Sequence, residues 1–165
     1  MLANQASTSA TGRATSVPRI ERHANVVWEG NLARGSGLIS AGTGAFERLE
    51  YSNAVRIGKG DEGKTSPEEL LAAAHAACLA TSVAGELTRA GSPPERIDVN
   101  ANIVMDEVEG KGHLIVESQV RVRVRVTGIE EDAFRHVIEV ADEGCPFSSL
   151  IKASAKVSID AELEG

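Results

Sequence analysis

Alternating apolar and polar residues in the second half of the chain predict long β-strands. In the stretch IDVNANIVMDEV, residues 97–108, every second position is apolar from Ile97 to Met105. The stretch VESQVRVRVRVTG, residues 116–128, alternates in the same way, and AKVSIDAEL, residues 155–163, predicts a last strand. This period is typical of antiparallel strands with one buried face. The stripe Arg121, Arg123 and Arg125 would then be a solvated face or a face opposite acidic residues.

A helix is the clearest element of the chain, in SPEELLAAAHAACLATSVAGEL, residues 66–87. Its Ala, Leu and Glu residues are strong helix formers. Ser66 is placed to cap it, Pro67 suits its first position, and Glu69 completes a capping box. Gly91 can adopt the left-handed conformation that ends a helix. Apolar residues at helical spacing predict a second helix over residues 130–144, and CPFSSLIKA, residues 145–153, opens a short third one.

The first half of the chain predicts short strands. HANVVWEG, GSGLIS, AFERLEY and SNAVRIG, between residues 23 and 58, are separated by glycines, as in antiparallel hairpins. Residues 1–21 are rich in Ser, Thr and Ala and predict a mobile tail. Because strands pair in runs rather than alternating singly with helices, we expect an α+β fold, with antiparallel sheets packed on central helices in a single domain over residues 22–165.

Composition narrows the classes of function. A formal net charge of −7 argues against nucleic acid as a partner, since nucleic-acid binding needs a basic surface. No apolar run approaches the roughly 20 residues of a membrane span, so we expect no membrane partner. Two cysteines among 165 residues do not make a disulfide scaffold. The chain is expected to be cytoplasmic, with thiols that are reduced at rest.

The two cysteines are the candidate chemistry. Cys78 lies inside the predicted long helix, where a thiol often serves only as packing. His75, three residues earlier on the same face, could be its base or half of a metal site, but its spacing alone favours a residue that only packs or hydrogen-bonds. Cys145 follows Gly144 and precedes Pro146, which places it near a helix N-terminus that favours a thiolate. No CxxC pair or histidine ligand spacing is present, so we expect neither a metal nor another cofactor.

Both cysteine motifs resemble the OsmC/Ohr family of osmotically inducible and organic hydroperoxide resistance proteins. The resemblance is carried by SPEELLAAAHAACLA and VADEGCPFSSLIKASAKVSIDAEL, together with WEGNLARGSGLIS, and is closest to the OsmC branch. It implies an intertwined homodimer with two shared active sites. It also implies a thiol peroxidase without haem or metal that reduces organic hydroperoxides, and hydrogen peroxide less well. A dithiol, of lipoyl type in this family, would be the reductant.

The resemblance also assigns roles to single residues. Cys78 falls on the peroxidatic cysteine and Cys145 on the resolving cysteine. Glu68 falls on the glutamate that holds the active-site arginine. Arg56 matches that arginine in the OsmC branch, and Arg34 lies where the Ohr branch carries it and is the second candidate. A guanidinium near the thiolate would stabilise it and the charge that develops as the peroxide bond breaks.

The helix geometry separates two of these residues. Glu68 and Cys78 are ten residues apart, so they do not share a helix face, and the carboxylate is expected to serve Cys78 of the partner subunit. Apolar walls are expected from Leu71, Leu79 and Phe147. Two other interpretations stay open. One is a Cys78–His75 nucleophile that hydrolyses acyl groups. The other is a redox sensor or small-molecule carrier without turnover.

Overall fold

The computed structural model describes residues 19–60 and 63–164, and residues 1–18 of the predicted tail lie outside this part of the chain. The fold is α+β, as predicted, with two three-stranded sheets and helices. The elements are β1 (Ala24–Glu29), β2 (Ser36–Ala41), β3 (Leu49–Tyr51), α1 (Asn53–Ile57), α2 (Pro67–Arg89), β4 (Arg96–Val108), β5 (Gly112–Arg125), α3 (Glu131–Gly144), α4 (Pro146–Lys152) and β6 (Lys156–Glu164).

Helix α2 begins and ends as its sequence predicts. The backbone N–H of Glu69 donates to Ser66 Oγ at 3.1 Å, which satisfies one of the free donors of the first turn. At the other end Gly91 has φ +83°, and the N–H of Ser92 donates to the carbonyl of Leu87 at 3.0 Å. A glycine takes this left-handed conformation without steric cost, so the chain can leave the helix there.

The second sheet, with strand order β4-β5-β6, contains the predicted long strands, but one of them runs in a direction that was not predicted. Strands β4 and β5 are antiparallel, whereas β5 and β6 are parallel, so the prediction of purely antiparallel pairing was wrong. The reason is that α3 and α4 form a crossover connection. It returns the chain to the end of the sheet at which β5 begins, so β6 runs in the same direction as β5. The register also shifts between Val104 and Met105, whose partners are Glu117 and Ile115, so Val116 of β5 is the extra residue of a bulge.

The core lies between α2, α3 and β5. One face of α2 places His75, Leu79, Val83 and Leu87 in the interior, at the four-residue spacing of a buried helix stripe. They pack with the even-numbered valines of β5 and with the apolar face of α3, as the patterns predict. The arginine stripe of β5 faces acidic residues of β6 in the pairs Arg121–Asp160, Arg123–Glu162 and Arg125–Glu164.

The sequence predicted no apolar run long enough to span a membrane, and α2 is an exception to that prediction. By length and composition alone it could cross a bilayer, although the sequence patterns predicted no such run. In the fold it packs against β4, α3 and α4 instead. Its apolar character is that of a central helix, whose Ala and Leu residues contact several elements at once.

The first sheet, with order β1-β2-β3, contains the predicted hairpins but not the fourth predicted strand. Most of that stretch, Asn53–Ile57, forms α1 instead, because Ser52 Oγ accepts from the N–H of Val55 at 3.2 Å and so caps a helical turn. This sheet makes only sparse contacts with α2 and the second sheet. Large apolar side chains of this region are exposed, among them Val26, Val27, Leu32 and Ile57, at 56–70%.

Candidate active site

Cys78 and Cys145, far apart in the sequence, meet where α2 contacts α4. Cys78 lies in the middle of α2 and is partly exposed, whereas Cys145 joins α3 to α4 and is fully buried. Both thiols are free, and they lie close enough for each to shift the pKa of the other. Two thiols in direct contact can be joined by a disulfide when one of them is oxidised.

The surroundings of the two thiols favour ionisation of Cys145. Burial raises the pKa of Cys78, the N–H of Phe147 partly opposes this, and the contact with Cys145 raises it further. Burial would also raise the pKa of Cys145, but the N–H and hydroxyl of Ser148 and the contact with Cys78 lower it overall. Cys145 is the N-cap of α4, with Ser148 N 3.5 Å from its sulfur. Among the described residues, the groups that shift the pKa of Cys78 include no cation.

Arg56 and Glu68 form an ion pair between α1 and the first turn of α2. The guanidinium donates from Nε at 2.9 Å and from Nη2 at 2.7 Å, both to Glu68 Oε1. These hydrogen bonds raise the pKa of Arg56, and Nη2 also lies 3.5 Å from Met105 Sδ. The Arg56 side chain is 41% exposed and that of Glu68 only 14%, so the carboxylate holds a cation that remains open to solvent.

The structure separates the two candidate arginines. Arg34 lies in the exposed turn after β1, where its backbone N–H donates to Asn31 Oδ1 at 3.0 Å. Arg56, rather than Arg34, is therefore the arginine that Glu68 holds. Neither Arg56 nor Glu68 is among the groups that act on Cys78 of the same chain. Within one chain, the thiol pair and the ion pair are thus two separate parts of a site.

His75 is fully buried and does not serve Cys78. Its Nδ1 lies 2.8 Å from Ser118 Oγ and its Nε2 lies 2.9 Å from Ser148 Oγ. Both ring nitrogens are occupied, so the Cys78–His75 pair considered from the sequence was wrong, and a hydrolase would lack its base. Burial lowers the pKa of His75, and Asp142 and Lys152 act on it in opposite directions.

The two serines were missed by the sequence analysis, although each carries a signal. Ser148 stands three residues after the capping Cys145, at the spacing of an N-cap hydrogen bond. Ser118 is a polar residue at a position of β5 where the alternation requires an apolar one. A polar group on a buried face needs a partner, and here the partner is His75.

A pocket of about 210 Å³ adjoins the guanidinium of Arg56, and its walls are not those expected. Trp28, Leu32, Tyr51 and Pro67 contribute to its lining, and the rings of Trp28 and Tyr51 lie 5.4 Å apart. Leu79, one of the predicted walls, is fully buried in the core and was a wrong prediction. Leu71 and Phe147 are partly buried. In the described ranges, no group of three His, Cys, Asp or Glu side chains could hold a metal ion.

Comparisons with known proteins agree with this architecture. The family model described as OsmC-like protein matches residues 58–160. Peroxiredoxin OsmC of Escherichia coli (strain K12) is 34% identical over 145 residues, which cover 88% of this chain and 98% of the relative. The organic hydroperoxide resistance protein of Xanthomonas axonopodis pv. citri (strain 306) is 23% identical, over 62% of this chain and 69% of that protein.

Solved structures show the same fold. A crystal structure of an organic hydroperoxide resistance protein from Elizabethkingia anophelis matches with a TM-score of 0.67 and 19% identity, over 89% of this chain and all of that one. The structure of OhrB of Bacillus subtilis matches with a TM-score of 0.61 and 20% identity, over 86% of this chain and 98% of that chain. The family resemblance and the fold class predicted from the sequence are confirmed.

Proposed function

The chain belongs to the OsmC-like protein family, and from this premise we propose that it is a thiol peroxidase that reduces organic hydroperoxides. Relatives named peroxiredoxin and organic hydroperoxide resistance protein support a peroxidase-like role. The observation that carries the proposal is the direct contact of Cys78 with Cys145 across α2 and α4. Two neighbouring thiols can form a disulfide without a large rearrangement of the fold.

The proposed cycle uses three steps, and each step balances. The thiolate of Cys78 attacks one oxygen of the hydroperoxide, so that the O–O bond breaks, an alkoxide leaves and Cys78 becomes a sulfenic acid. The alkoxide takes up the proton that the thiol had released and becomes the alcohol. Cys145 then attacks the oxidised sulfur, which forms the Cys78–Cys145 disulfide and releases water. A dithiol of lipoyl type reduces the disulfide by exchange and is itself oxidised. We place this chemistry in the cytoplasm, where such dithiols remain reduced.

A shared site in a homodimer supplies the cation that Cys78 needs. Burial raises the pKa of Cys78, so a nearby guanidinium is required to keep the thiolate populated. We assign this role to Arg56, held by Glu68, acting on Cys78 of the partner subunit. Support comes from the sparse contacts and exposed apolar side chains of the first sheet, which need a covering surface. Glu68 and Cys78 also lie on different faces of α2.

The pocket beside Arg56 supports an organic substrate. Its aromatic and aliphatic walls offer an alkyl group a surface that is removed from water, which favours binding in proportion to the area buried. Hydrogen peroxide has no such group. We therefore propose that organic hydroperoxides react faster than hydrogen peroxide, and that each subunit contributes to the shared sites through a single OsmC-like domain over residues 22–165.

Steady-state turnover tests the proposal. Reduced protein is mixed with dihydrolipoamide and either tert-butyl hydroperoxide or hydrogen peroxide, and peroxide loss is followed. We expect faster loss of the organic peroxide, no loss with Cys78→Ser, and a single reaction followed by a stall with Cys145→Ser. If Cys78→Ser consumes peroxide as fast as the wild type, the assignment is wrong. If both thiols remain titratable and no peroxide disappears, the carrier interpretation takes its place.

Mixed dimers test the sharing of the site between subunits. Cys78→Ser protein, which should be inactive alone, and Arg56→Gln protein, which should be slowed, are unfolded together and refolded. In a mixed dimer, one site combines an intact Cys78 with an intact Arg56 from the other subunit, so activity should rise above that of Arg56→Gln alone. If each arginine served the cysteine of its own chain, every site in the mixture would lack one group and activity would not exceed that of Arg56→Gln alone.

A further inference from the structure

A row of polar side chains runs through the core behind Cys145. Ser118 Oγ contacts His75 Nδ1 at 2.8 Å, and Ser148 Oγ contacts His75 Nε2 at 2.9 Å. Ser148 also lies against Cys145, because its backbone N is 3.5 Å from Cys145 Sγ and its hydroxyl lowers the pKa of that thiol. All four residues have a relative exposure of 0%. The row therefore links an imidazole ring to a thiol that has no contact with solvent.

This arrangement is unusual for its place in the core. On α2 the positions that follow His75 on the same face are Leu79, Val83 and Leu87, which are apolar. A polar group in such surroundings is destabilising unless its hydrogen bonds are made. Here both ring nitrogens have partners, so the network is complete as built. A leucine at the same position would fill the space without any of these partners.

The resolving step of the proposed cycle requires a group that takes the proton of Cys145, and these polar side chains can provide it. To attack a sulfenic acid, Cys145 must lose its proton, because the thiolate is the nucleophile. Cys145 is fully buried, so bulk water cannot take that proton directly. The hydroxyl of Ser148 is an acceptor that adjoins the thiol, and it lies 2.9 Å from a base, His75 Nε2.

We propose that Ser148 and His75 relay the proton of Cys145 during disulfide formation, an inference that rests on the proposed peroxidase function. At rest the Cys145 S–H donates to Ser148 Oγ, and the Ser148 O–H donates to His75 Nε2. As the Cys145 sulfur attacks Cys78, an S–S bond forms and the S–O bond breaks. The thiol proton moves to Ser148 while the hydroxyl proton moves to His75. His75 then gives up its extra proton, which neutralises the released hydroxide to water.

The relay requires one tautomer of His75, and Ser118 can fix it. If Nε2 is to accept, Nδ1 must carry the proton and donate to Ser118 Oγ. The ring must also be neutral at rest, and burial lowers the pKa of His75 in that direction. The charged groups that act on it are Asp142 from α3 and Lys152 from α4, which pair at 2.5 Å and oppose one another.

The test separates the two chemical steps in one turnover. Reduced protein receives one equivalent of tert-butyl hydroperoxide without reductant. Peroxide loss reports oxidation of Cys78, and alkylation followed by mass spectrometry reports the disulfide. With His75→Gln or Ser148→Ala, the second step should slow about 100-fold relative to the first, the usual size of a lost acid–base contribution. Its rate should then rise steeply with pH, because hydroxide replaces the relay.

Two further variants test whether the effect is merely structural. Ser148→Thr restores a hydroxyl and should recover much of the lost rate. Ser149→Ala removes an exposed hydroxyl one position along α4 and should leave both steps unchanged. Ser148→Ala keeps the imidazole and keeps the test open if His75→Gln does not fold. Disulfide formation at the wild-type rate in the variants, or equal slowing of both steps with an unchanged pH profile, would overturn the relay.

A second experiment tests the relay without any peroxide. A thionitrobenzoate group is attached to Cys78 as a mixed disulfide, and attack by Cys145 then releases the coloured thiol. The same variants should slow this release and make it steeply pH-dependent. If the wild type consumes no peroxide, the proposed function fails, and the colour release still decides whether His75 and Ser148 assist Cys145.

Discussion

Replacing Arg56 by Gln should raise the pKa of the Cys78 thiol in the partner subunit. The guanidinium is held by two hydrogen bonds to Glu68, which also raise its own pKa, so Arg56 is charged throughout the range in which thiols titrate. Within its own chain Cys78 has a raised pKa because it is buried, and no described cation compensates. The substitution removes the only compensation that the proposed dimer provides.

The size of the effect follows from the exposure of the arginine. Two unit charges about 4 Å apart interact by about 4 kcal/mol at an effective dielectric constant of about 20, which corresponds to about 3 pKa units. The side chain of Arg56 is 41% exposed in this chain, so solvent screens part of this interaction. We therefore expect a rise of about 1–2 pKa units and, near neutral pH, a reaction with peroxide slowed about 10–100-fold.

The assay follows the thiolate of Cys78 by its ultraviolet absorbance in a Cys145→Ser background, as a function of pH. The rate with tert-butyl hydroperoxide is measured on the same samples and should show the same midpoint. Arg34→Gln is the matched control, since it removes an exposed arginine that Glu68 does not hold. The reasoning is refuted if Arg56→Gln leaves the midpoint where it was, or if Arg34→Gln moves it as far.

Three other predictions concern charge, packing and pH. Glu68→Gln should lower kcat/KM for the organic peroxide about tenfold or more, because Arg56 loses its fixed position, whereas Glu69→Gln should have little effect in the same assay. Leu79→Ala should lower the free energy of unfolding in urea by about 2–5 kcal/mol, since Leu79 is 0% exposed, and a cost below 1 kcal/mol would contradict its place in the core. The folded state lowers the pKa of His75 from 6.5, so the unfolded chain binds the proton more readily. The free energy of unfolding should therefore fall as the pH drops through 6.5. In His75→Gln, the urea midpoint should no longer show the part of its pH dependence that comes from His75.

Much of the fold follows from local patterns, and the errors have local causes. The alternation of valine and arginine predicted β5, and the capping residues predicted α2, because period and caps are encoded in a few neighbouring residues. Residues 52–58 were predicted as one of several short strands separated by glycine-rich breaks. The capping hydrogen bond of Ser52 stabilises a helical turn there instead. A stretch this short shows too little periodicity to distinguish a strand from a helix.

The site depends on contacts between residues distant in the chain, and local patterns cannot predict those. Spacing alone left the roles of Cys78 and Cys145 open, and only the family resemblance paired them before the structure brought them into contact. The parallel pairing of β6 is likewise a consequence of the crossover through α3 and α4. Ser148 is an intermediate case, because its spacing from Cys145 was visible but its contact with His75 was not.

The measurement that tests the central claim most directly is a stoichiometric titration of the reduced protein with an organic hydroperoxide, followed by mass spectrometry without reduction. We predict that each molecule of peroxide consumed produces one disulfide, and that this disulfide joins Cys78 to Cys145 of the same chain. Loss of peroxide with both thiols still free would mean that other residues carry the chemistry. A disulfide between two chains would mean that Cys145 does not resolve Cys78 within its own subunit, although the structure places the two thiols in contact there.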